Sequence, residues 1–321
     1  MEKGKFVISL DFELHWGAAE KWDLRLKKEY FNTTRKSIPV VLALFKKYNI
    51  HATWATVGFL FAKNKEQLLR FLPKDRPSYN DENLSYYNLI DNNEVGEDEN
   101  DDPYHYASSL ITKILETPGQ ELGTHTFAHY YCNEPGQNKL QFEADIQAAQ
   151  AVSKENFNTE LKSLVFPRNQ FNEEYLEIAS QNGIQVVRSN PDLWFWKTQS
   201  KLAPLARAFD TLLPISKTTT FRETKPDKNK MLLLPASRFF RPYANKEKLI
   251  RNFKRTRIKN EMLYAAKNNS VYHLWWHPHN FGDAVNENLL DLEEILKWYR
   301  KLHADFGFSS KTMIEMYQNS K

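Results

Sequence analysis

The strongest constraint on the fold of this 321-residue chain is the alternation of short apolar runs with longer segments of helical periodicity. Runs of this length, rich in β-branched and aromatic residues, are typical of buried strands. Alternating strands and helices predict a parallel sheet with helices packed outside it. The predicted strands are Phe6–Leu10, His51–Gly58, the short run before His125, Leu161–Phe166, Ile184–Val187, Met231–Leu234, Val271–Trp276 and a last strand beginning near Phe306.

Helical spacing of apolar residues separates these runs along most of the chain. The predicted helices are Ile38–Tyr48 with Pro39 in its first turn, Phe59–Phe71, Tyr104–Leu115, Asn138–Val152, Asn172–Gln181, Leu202–Leu213, Lys246–Lys267 and Leu289–Leu302. Lys246–Lys267 is strongly basic. Its charges predict a solvated face, with docking to a membrane or an anionic carrier as the alternative.

One stretch, Pro73–Pro103, breaks the alternation. It is polar and acidic, and its composition predicts an insertion or lid with too little apolar surface for a core of its own. We therefore predict a single domain over residues 1–321 that contains this insertion, and we expect the insertion to be a mobile flap beside the mouth of the fold.

Composition and charge exclude several classes of protein. A net charge of +4 is too small to indicate a nucleic-acid partner, and no window is long and apolar enough to predict a membrane span. The single cysteine, Cys132, argues against a disulfide framework and suits a reducing compartment. No secretory signal is recognisable before Phe6, so a cytoplasmic location is expected.

Ionisable residues cluster where the predicted strands end. Asp11 and Glu13 follow the first apolar run, and the period of two along a strand places both carboxylates on one face. Two such carboxylates repel each other unless a cation or a proton lies between them. Because ligands bind at the carboxyl ends of parallel strands, the residues at these ends form the candidate site: Asp11, Glu13, His125, His129, Arg168, His277 and His279.

His125 and His129 are four residues apart, a spacing that lets two imidazoles reach one metal ion. Together with a carboxylate they form a set of three ligands that leaves a position open for water, as catalytic zinc sites do. A divalent ion, with Zn²⁺ favoured, is therefore the predicted cofactor. A further histidine on another strand could protonate a leaving amine, so the residues predict metal-assisted hydrolysis of an amide or ester.

These motifs resemble the polysaccharide deacetylases that share the NodB homology domain, a family of carbohydrate esterase 4 type. The resemblance extends from Phe6 to about Thr312. Its most specific part is Gly119-Gln-Glu-Leu-Gly123 followed by the histidine pair. The other matching segments are Ser9-Leu-Asp-Phe-Glu13, Ala52-Thr-Trp-Ala-Thr-Val-Gly58, Phe166-Pro-Arg-Asn-Gln170 in a changed order, and Trp276-His-Pro278.

The resemblance implies a distorted (β/α)7-type barrel and a role for each matching residue. His125 and His129 would be metal ligands, His277 the general acid with His279 as the less favoured candidate, and Arg168 would orient the acidic residues or the substrate. We assign Asp11 as the base and Glu13 as the third ligand, with the reverse assignment open. Substrate contacts are expected from Trp16, Asn169, Trp276 and His279, and stacking also from the aromatic patch at Trp194 and Trp196.

The resemblance further implies an N-acetylated sugar as substrate, whether nucleotide-linked, lipid-linked or polymeric. A cytoplasmic intermediate of surface-polysaccharide assembly is favoured. Two alternatives stay open at this point. The first is a hydrolase of a non-sugar amide, similar to allantoinase-like relatives, whose reaction could proceed without a metal. The second is a degenerate barrel that binds carbohydrate without catalysis. The oligomeric state is left open.

Overall fold

The computed structural model describes residues 3–191, 218–244, 248 and 250–320. The predicted helix Leu202–Leu213, the aromatic patch at Trp194 and Trp196, and part of the start of the basic helix lie outside the described residues. The strands are β1 Lys5–Phe12, β2 Ala52–Thr56, β3 Gln120–Thr124, β4 Ser163–Leu164, β5 Val186–Ser189, β6 Leu232–Pro235, β7 Arg238–Phe239, β8 Val271–Trp276 and β9 Ser309–Lys311.

The α-helices lie between these strands in most of the chain. They are α1 Leu24–Tyr48, α2 Lys65–Phe71, α3 Tyr87–Asp91, α4 Ser108–Glu116, α5 Lys139–Phe157, α6 Glu173–Gln181, α7 Arg251–Lys267, α8 Val285–Phe306 and α9 Met313–Asn319. Short 3₁₀ helices at Leu14–Gly17, Gly58–Phe61, Glu82–Leu84, Pro167–Asn169 and Pro278–Phe281 follow strands or lie in connections. The predicted helix Phe59–Phe71 is thus divided into a 3₁₀ turn and α2.

The sheet confirms the predicted fold class. Its strand order is β6-β5-β4-β3-β2-β1-β8-β7, and all neighbouring strands are parallel. β9 pairs with Lys5–Val7 of β1, below the point where β2 begins to pair at Ile8. The sheet is curled into a half-barrel with helices outside, which matches the distorted (β/α)7 architecture.

Side chains along β1 alternate between the two faces of the sheet, so the strand contributes to two separate hydrophobic clusters. Ile8, Leu10 and Phe12 face the outer helices and belong to the main hydrophobic cluster with Trp54. Val7 faces the inside of the half-barrel, where the inner cluster also contains Ala55, Val165, Val186, Leu232, Leu234, Val271, Met313 and Met316. The last two residues belong to α9, which therefore fills the inside with apolar side chains and leaves the carboxyl ends of the strands for polar ones.

Helix α1 is longer than predicted and contains Pro39 in its interior. Pro39 has no N–H, so one hydrogen bond of the helix is missing there. The helix continues because the face carrying Phe31, Ile38 and Phe45 is buried, and tertiary packing outweighs the local preference. The prediction that Pro39 lies in the first turn was wrong for this reason.

The insertion Pro73–Pro103 contributes no strand to the sheet but is anchored to it. Its apolar residues Tyr86, Tyr87 and Ile90 are between 2% and 4% exposed and belong to the main cluster. Asp102 accepts a hydrogen bond from Nδ1 of His105 at 2.7 Å, and Nε2 of His105 lies 2.9 Å from Nδ1 of His15. These anchors pack into the main cluster of the barrel, and the insertion contributes no separate hydrophobic cluster among the described residues. Its movement as a lid stays a prediction.

Within the described part of the chain, no helix is both long enough and apolar enough to cross a membrane.

Candidate active site

The carboxyl ends of β1, β3 and β8 bring the predicted acidic and histidine residues together. Oε1 of Glu13 lies 3.0 Å from Nε2 of His125, 3.4 Å from Nε2 of His129 and 3.6 Å from Nε2 of His277. Oδ2 of Asp11 lies 3.7 Å from the same nitrogen of His277. All of these side chains except His277 are less than 5% exposed. Because the strands are parallel and in register, residues that are distant in sequence lie together at one edge of the sheet.

The loop that carries the histidine pair is held by a buried carboxylate. Asp145 of α5 accepts hydrogen bonds from the backbone N–H groups of Phe127 and Ala128 at 2.6 and 3.0 Å. Burial raises the pKa of Asp145 to about 7, although these two hydrogen bonds lower it. His129 has a φ of +54°, a left-handed conformation that a non-glycine residue rarely adopts. Asp145 thereby helps to hold the loop in this conformation.

His125, His129 and Glu13 fit a divalent metal ion. Their three ligand atoms lie within 4.8 Å of one another. Nδ1 of His125 lies 2.7 Å from the carbonyl oxygen of Val165. A hydrogen bond donated there fixes the tautomer and leaves Nε2 as the ligand, as is usual for metal-bound histidine. Two imidazoles and a carboxylate are a donor set suited to Zn²⁺ and similar ions.

Glu13 is placed by a close approach of the backbone at Gly17. A Cβ atom on Gly17 would lie 1.9 Å from Oε2 of Glu13, so a larger residue cannot stand there without moving the carboxylate. Burial alone would raise the pKa of Glu13. The charge of His277 and the hydrogen bonds from His125 and His129 outweigh burial and hold the pKa well below its ordinary value. Glu13 is therefore ionised, as a metal ligand must be.

Asp11 is held by an arginine that the sequence analysis missed. Both carboxylate oxygens of Asp11 accept hydrogen bonds from Arg188 of β5, at 2.6 and 2.7 Å. Arg188 also donates to Ser9 at 3.1 Å and to Asn169 at 3.3 Å, and its guanidinium lies 4.3 Å from the ring centroid of Trp275. Burial would raise the pKa of Asp11, but the charge of Arg188 outweighs it and lowers the pKa.

Arg168 does not have the predicted contact with the acidic pair. Its Nη2 donates to Glu20 at 2.5 Å and its Nη1 donates to Glu134 at 3.1 Å, while the guanidinium stacks on Tyr131 at 4.1 Å. Arg168 follows β4 in an exposed turn, whereas Arg188 lies inside a strand and faces inward, in phase with the inner-core residue Val186. The expectation that Arg168 orients the acids is wrong. Its contact with substrate stays a prediction.

Two tryptophans that were expected to bind substrate are buried. Trp16 and Trp276 are 0% exposed and belong to the main core cluster, so neither can stack on a sugar. Trp275 and Trp22 line the pocket in their place. The alternation of side chains along β8 could have distinguished Trp275 from Trp276 in the sequence. His277 faces the site, so the residue two positions earlier, Trp275, faces it as well, and Trp276 must face the helices.

The other predicted site residues also line the pocket. His277 and His279 stack with their ring centroids 5.0 Å apart, and Nδ1 of His279 lies 3.8 Å from Oε2 of Glu13. Burial and the neighbouring His277 lower the pKa of His279 to about 3, so this ring is neutral. The pocket has a volume of about 380 Å³ and is lined by Asp11, Glu13, His125, His129, Asn169, Arg188, His277 and His279 among others.

Residues 32–187 match the sequence profile of a known family, described as polysaccharide deacetylase. These residues, just under half of the chain, are thus similar to a polysaccharide deacetylase domain. The matched range includes the histidine pair and ends just before Arg188, and the fold brings Asp11, Glu13 and His277 to it from outside that range. The match agrees with the predicted enzyme class, a carbohydrate deacetylase acting as a hydrolase.

Several solved structures are similar to this chain in fold. A candidate polysaccharide deacetylase from Mycobacterium smegmatis has a TM-score of 0.62 at 10% identity, covering 99% of this chain and 91% of that one. One from Pseudomonas aeruginosa has a TM-score of 0.53 at 11% identity, covering 98% and 89%. A GH57-type branching enzyme from Pyrococcus horikoshii has a TM-score of 0.56 at 11% identity, covering 99% and 70%. A search among curated protein sequences gave no match.

Proposed function

We propose that this protein is a metal-dependent deacetylase that removes an acetyl group from an N-acetylated sugar. The observation that carries the proposal is the cluster of Glu13, His125 and His129, whose ligand atoms lie within 4.8 Å of one another beside Asp11 and His277. The match of residues 32–187 to the deacetylase family supports it.

Glu13, His125 and His129 would hold the ion. When bound, a divalent ion would polarise the acetyl carbonyl and make water a stronger nucleophile near neutral pH. Glu13 is favoured over Asp11 as the third ligand because its Oε1 lies 3.0 and 3.4 Å from Nε2 of His125 and His129, whereas Asp11 is paired with Arg188. This supports the assignment of Asp11 as the base.

Asp11 and His277 would divide the proton transfers. Asp11 is ionised because Arg188 lowers its pKa, and it would accept the proton of the attacking water. As the new C–O bond forms and the C–N bond breaks, Nε2 of His277 would donate a proton to the leaving amine. His277 is favoured over His279 as the acid because its side chain is 25% exposed to the pocket, against 8% for His279.

The finer points of the proposal rest on the sequence. Zn²⁺ is the favoured ion, and a cytoplasmic intermediate of surface-polysaccharide assembly is the favoured substrate. The alternative of a metal-free hydrolase of a non-sugar amide is disfavoured by the fit of the three ligands, and the alternative of a degenerate binding protein by the complete set of acid, base and ligand candidates.

Acetate release from N-acetylated sugars tests the proposal. The protein is stripped with a chelator, and activity is measured before and after addition of Zn²⁺ or Co²⁺. We expect activity to disappear on stripping and to return with metal. Activity that persists without metal would favour the metal-free hydrolase. An absence of acetate release from N-acetylated monosaccharides, oligomers and nucleotide sugars with metal bound would refute the proposed function.

A further inference from the structure

Three polar side chains form a buried line of hydrogen bonds beside the catalytic pocket. Oδ2 of Asp102 lies 2.7 Å from Nδ1 of His105, and Nε2 of His105 lies 2.9 Å from Nδ1 of His15. At the far end, Nε2 of His15 lies 3.0 Å from the carbonyl oxygen of Trp22. The three side chains belong to residues that are between 1% and 6% exposed. We call Asp102, His105 and His15 the histidine bridge.

The histidine bridge joins the insertion to one wall of the catalytic pocket. Asp102 belongs to the insertion, where it also accepts a hydrogen bond from the backbone N–H of Gly96 at 2.8 Å. Trp22 belongs to the wall, whose other lining residues in this segment are Ala18, Glu20 and Lys21. The ring centroid of Trp22 lies 5.7 Å from that of His279. We call residues 18–22 the Trp22 wall, and its position depends on the bridge.

The hydrogen bonds of the bridge require one proton more than two neutral imidazole rings hold. A carbonyl oxygen can only accept, so Nε2 of His15 must carry a hydrogen. The carboxylate of Asp102 also accepts, so Nδ1 of His105 must carry another. The contact between the two rings needs a third hydrogen, on one ring or the other. Two neutral rings hold two such hydrogens in total, so the pair of histidines must carry one positive charge.

Asp102 supplies the negative charge that such a buried cation needs. Burial would raise the pKa of Asp102, but the hydrogen bond and charge of His105, with the backbone N–H groups of Gly96 and Tyr104, outweigh burial and lower the pKa. The carboxylate is therefore ionised. The nearby Arg35 of α1 is paired with Glu99. A buried charge whose partner is removed is strongly destabilised, so the proton on the histidines depends on Asp102.

We propose that His105 and His15 together hold one buried positive charge, compensated by Asp102, and that this ion pair positions the Trp22 wall for substrate. Both histidines are positioning residues, because they act through the wall and not on the acetyl group. The role toward substrate rests on the proposed function, whereas the charge and its effect on the wall do not.

Nuclear magnetic resonance of the ring nitrogens tests the charge directly. The protein is labelled with ¹⁵N in its histidine rings, Zn²⁺ is added, and spectra are recorded near pH 7, with His105→Gln used to assign the signals. We expect three slowly exchanging ring N–H protons from His105 and His15, because both rings are buried. One ring should have both nitrogens protonated. Two neutral rings with one N–H each would overturn the inference.

Asp102→Asn tests the effect on the wall, because it removes the charge and keeps the shape and one acceptor oxygen. Asp101→Asn is the matched control, since Asp101 is exposed and accepts only from the backbone N–H of Glu97 among the described hydrogen bonds. The amides of Lys21 and Trp22 donate to the carbonyl of Ala18. They should exchange with solvent roughly tenfold faster in Asp102→Asn than in the control, because one hydrogen bond of the bridge is lost.

The amides of Leu176 and Asn182, which donate within α6 and at its end, serve as the internal reference and should not change. Equal exchange of the wall in the two variants would overturn the inference. Faster exchange at α6 by the same factor would indicate a general loss of stability and would overturn the positioning role.

Kinetics test the role toward substrate. For an N-acetylated sugar that the wild type deacetylates, Asp102→Asn should raise KM roughly tenfold and change kcat by less than about threefold, because the wall contacts bound substrate and not the reacting atoms. A fall in kcat with KM unchanged would overturn this role. If no variant and no wild-type protein releases acetate, the proposed function fails, while the ring protons and the exchange rates still decide the inference.

Discussion

Removal of Arg188 should destabilise the protein and shift the pH dependence of its activity together. Arg188 is 1% exposed, and its partner Asp11 is 2% exposed. Replacing Arg188 with Met leaves the carboxylate buried without its guanidinium partner. Breaking a buried pair in this way costs about 3–5 kcal/mol, a large part of the roughly 5–15 kcal/mol that stabilises a typical protein. Arg168→Met is the matched control, because Arg168 is about one-third exposed and its pairs are worth about 0–1 kcal/mol.

The sign of the pH effect follows from the pKa of Asp11. In the wild type this pKa is below its ordinary value, so the pair stabilises the folded state above the unfolded pKa and loses that contribution as pH falls. In Arg188→Met burial acts without the opposing charge of Arg188, so the pKa should rise above the ordinary value. The folded variant then binds more protons than the unfolded chain, and its stability falls as pH rises between the two pKa values. The difference in free energy of unfolding between wild type and Arg188→Met should therefore be smaller at pH 4.5 than at pH 8.

Urea unfolding at both pH values and the pH profile of kcat/KM are the assays. The acidic limb of the profile should move upward in Arg188→Met, because Asp11 must be ionised to act as a base. Two results would contradict the argument that Arg188 compensates the buried charge of Asp11. One is a loss of stability in Arg188→Met that is the same at both pH values, and the other is an Arg188→Met protein as stable as Arg168→Met.

Three further predictions concern the metal, the acid and the insertion. His129→Ala should lose bound metal and activity together, while His303→Ala on α8 should keep both; elemental analysis showing full metal content in His129→Ala would exclude it as a ligand. His277→Ala should lower kcat by about 10²–10⁴ with metal retained. A fully active His277→Ala with an inactive His279→Ala would transfer the role to His279. In hydrogen exchange, the amides of Asn88, Leu89 and Asn92, which donate to backbone carbonyls within the insertion, should be protected. The amides of exposed Lys74 and Asp75 should exchange rapidly. Uniform protection over residues 73–103 would exclude a lid.

The sequence alone determined the strand–helix order and the chemistry of the site. Apolar runs that end in ionisable residues predict a parallel sheet with a site at its carboxyl ends, because strand period and connection length restrict the topology. The motif around His125 and His129 is local, so its spacing is visible without a fold. The same holds for Asp11 and Glu13, whose common face follows from the period of a strand.

Tertiary structure decided which residues complete the site. Arg188 rather than Arg168 holds Asp11, because strand pairing places β5 with its inward face toward the carboxylate, and this depends on contacts 177 residues apart. Trp276 and Trp16 are buried, while Trp275 faces the pocket, because the register of β8 against β1 fixes which side chains point inward. The insertion is anchored by three buried side chains whose partners lie on the barrel. Burial and register are properties of the packed chain, so composition and spacing could not supply them.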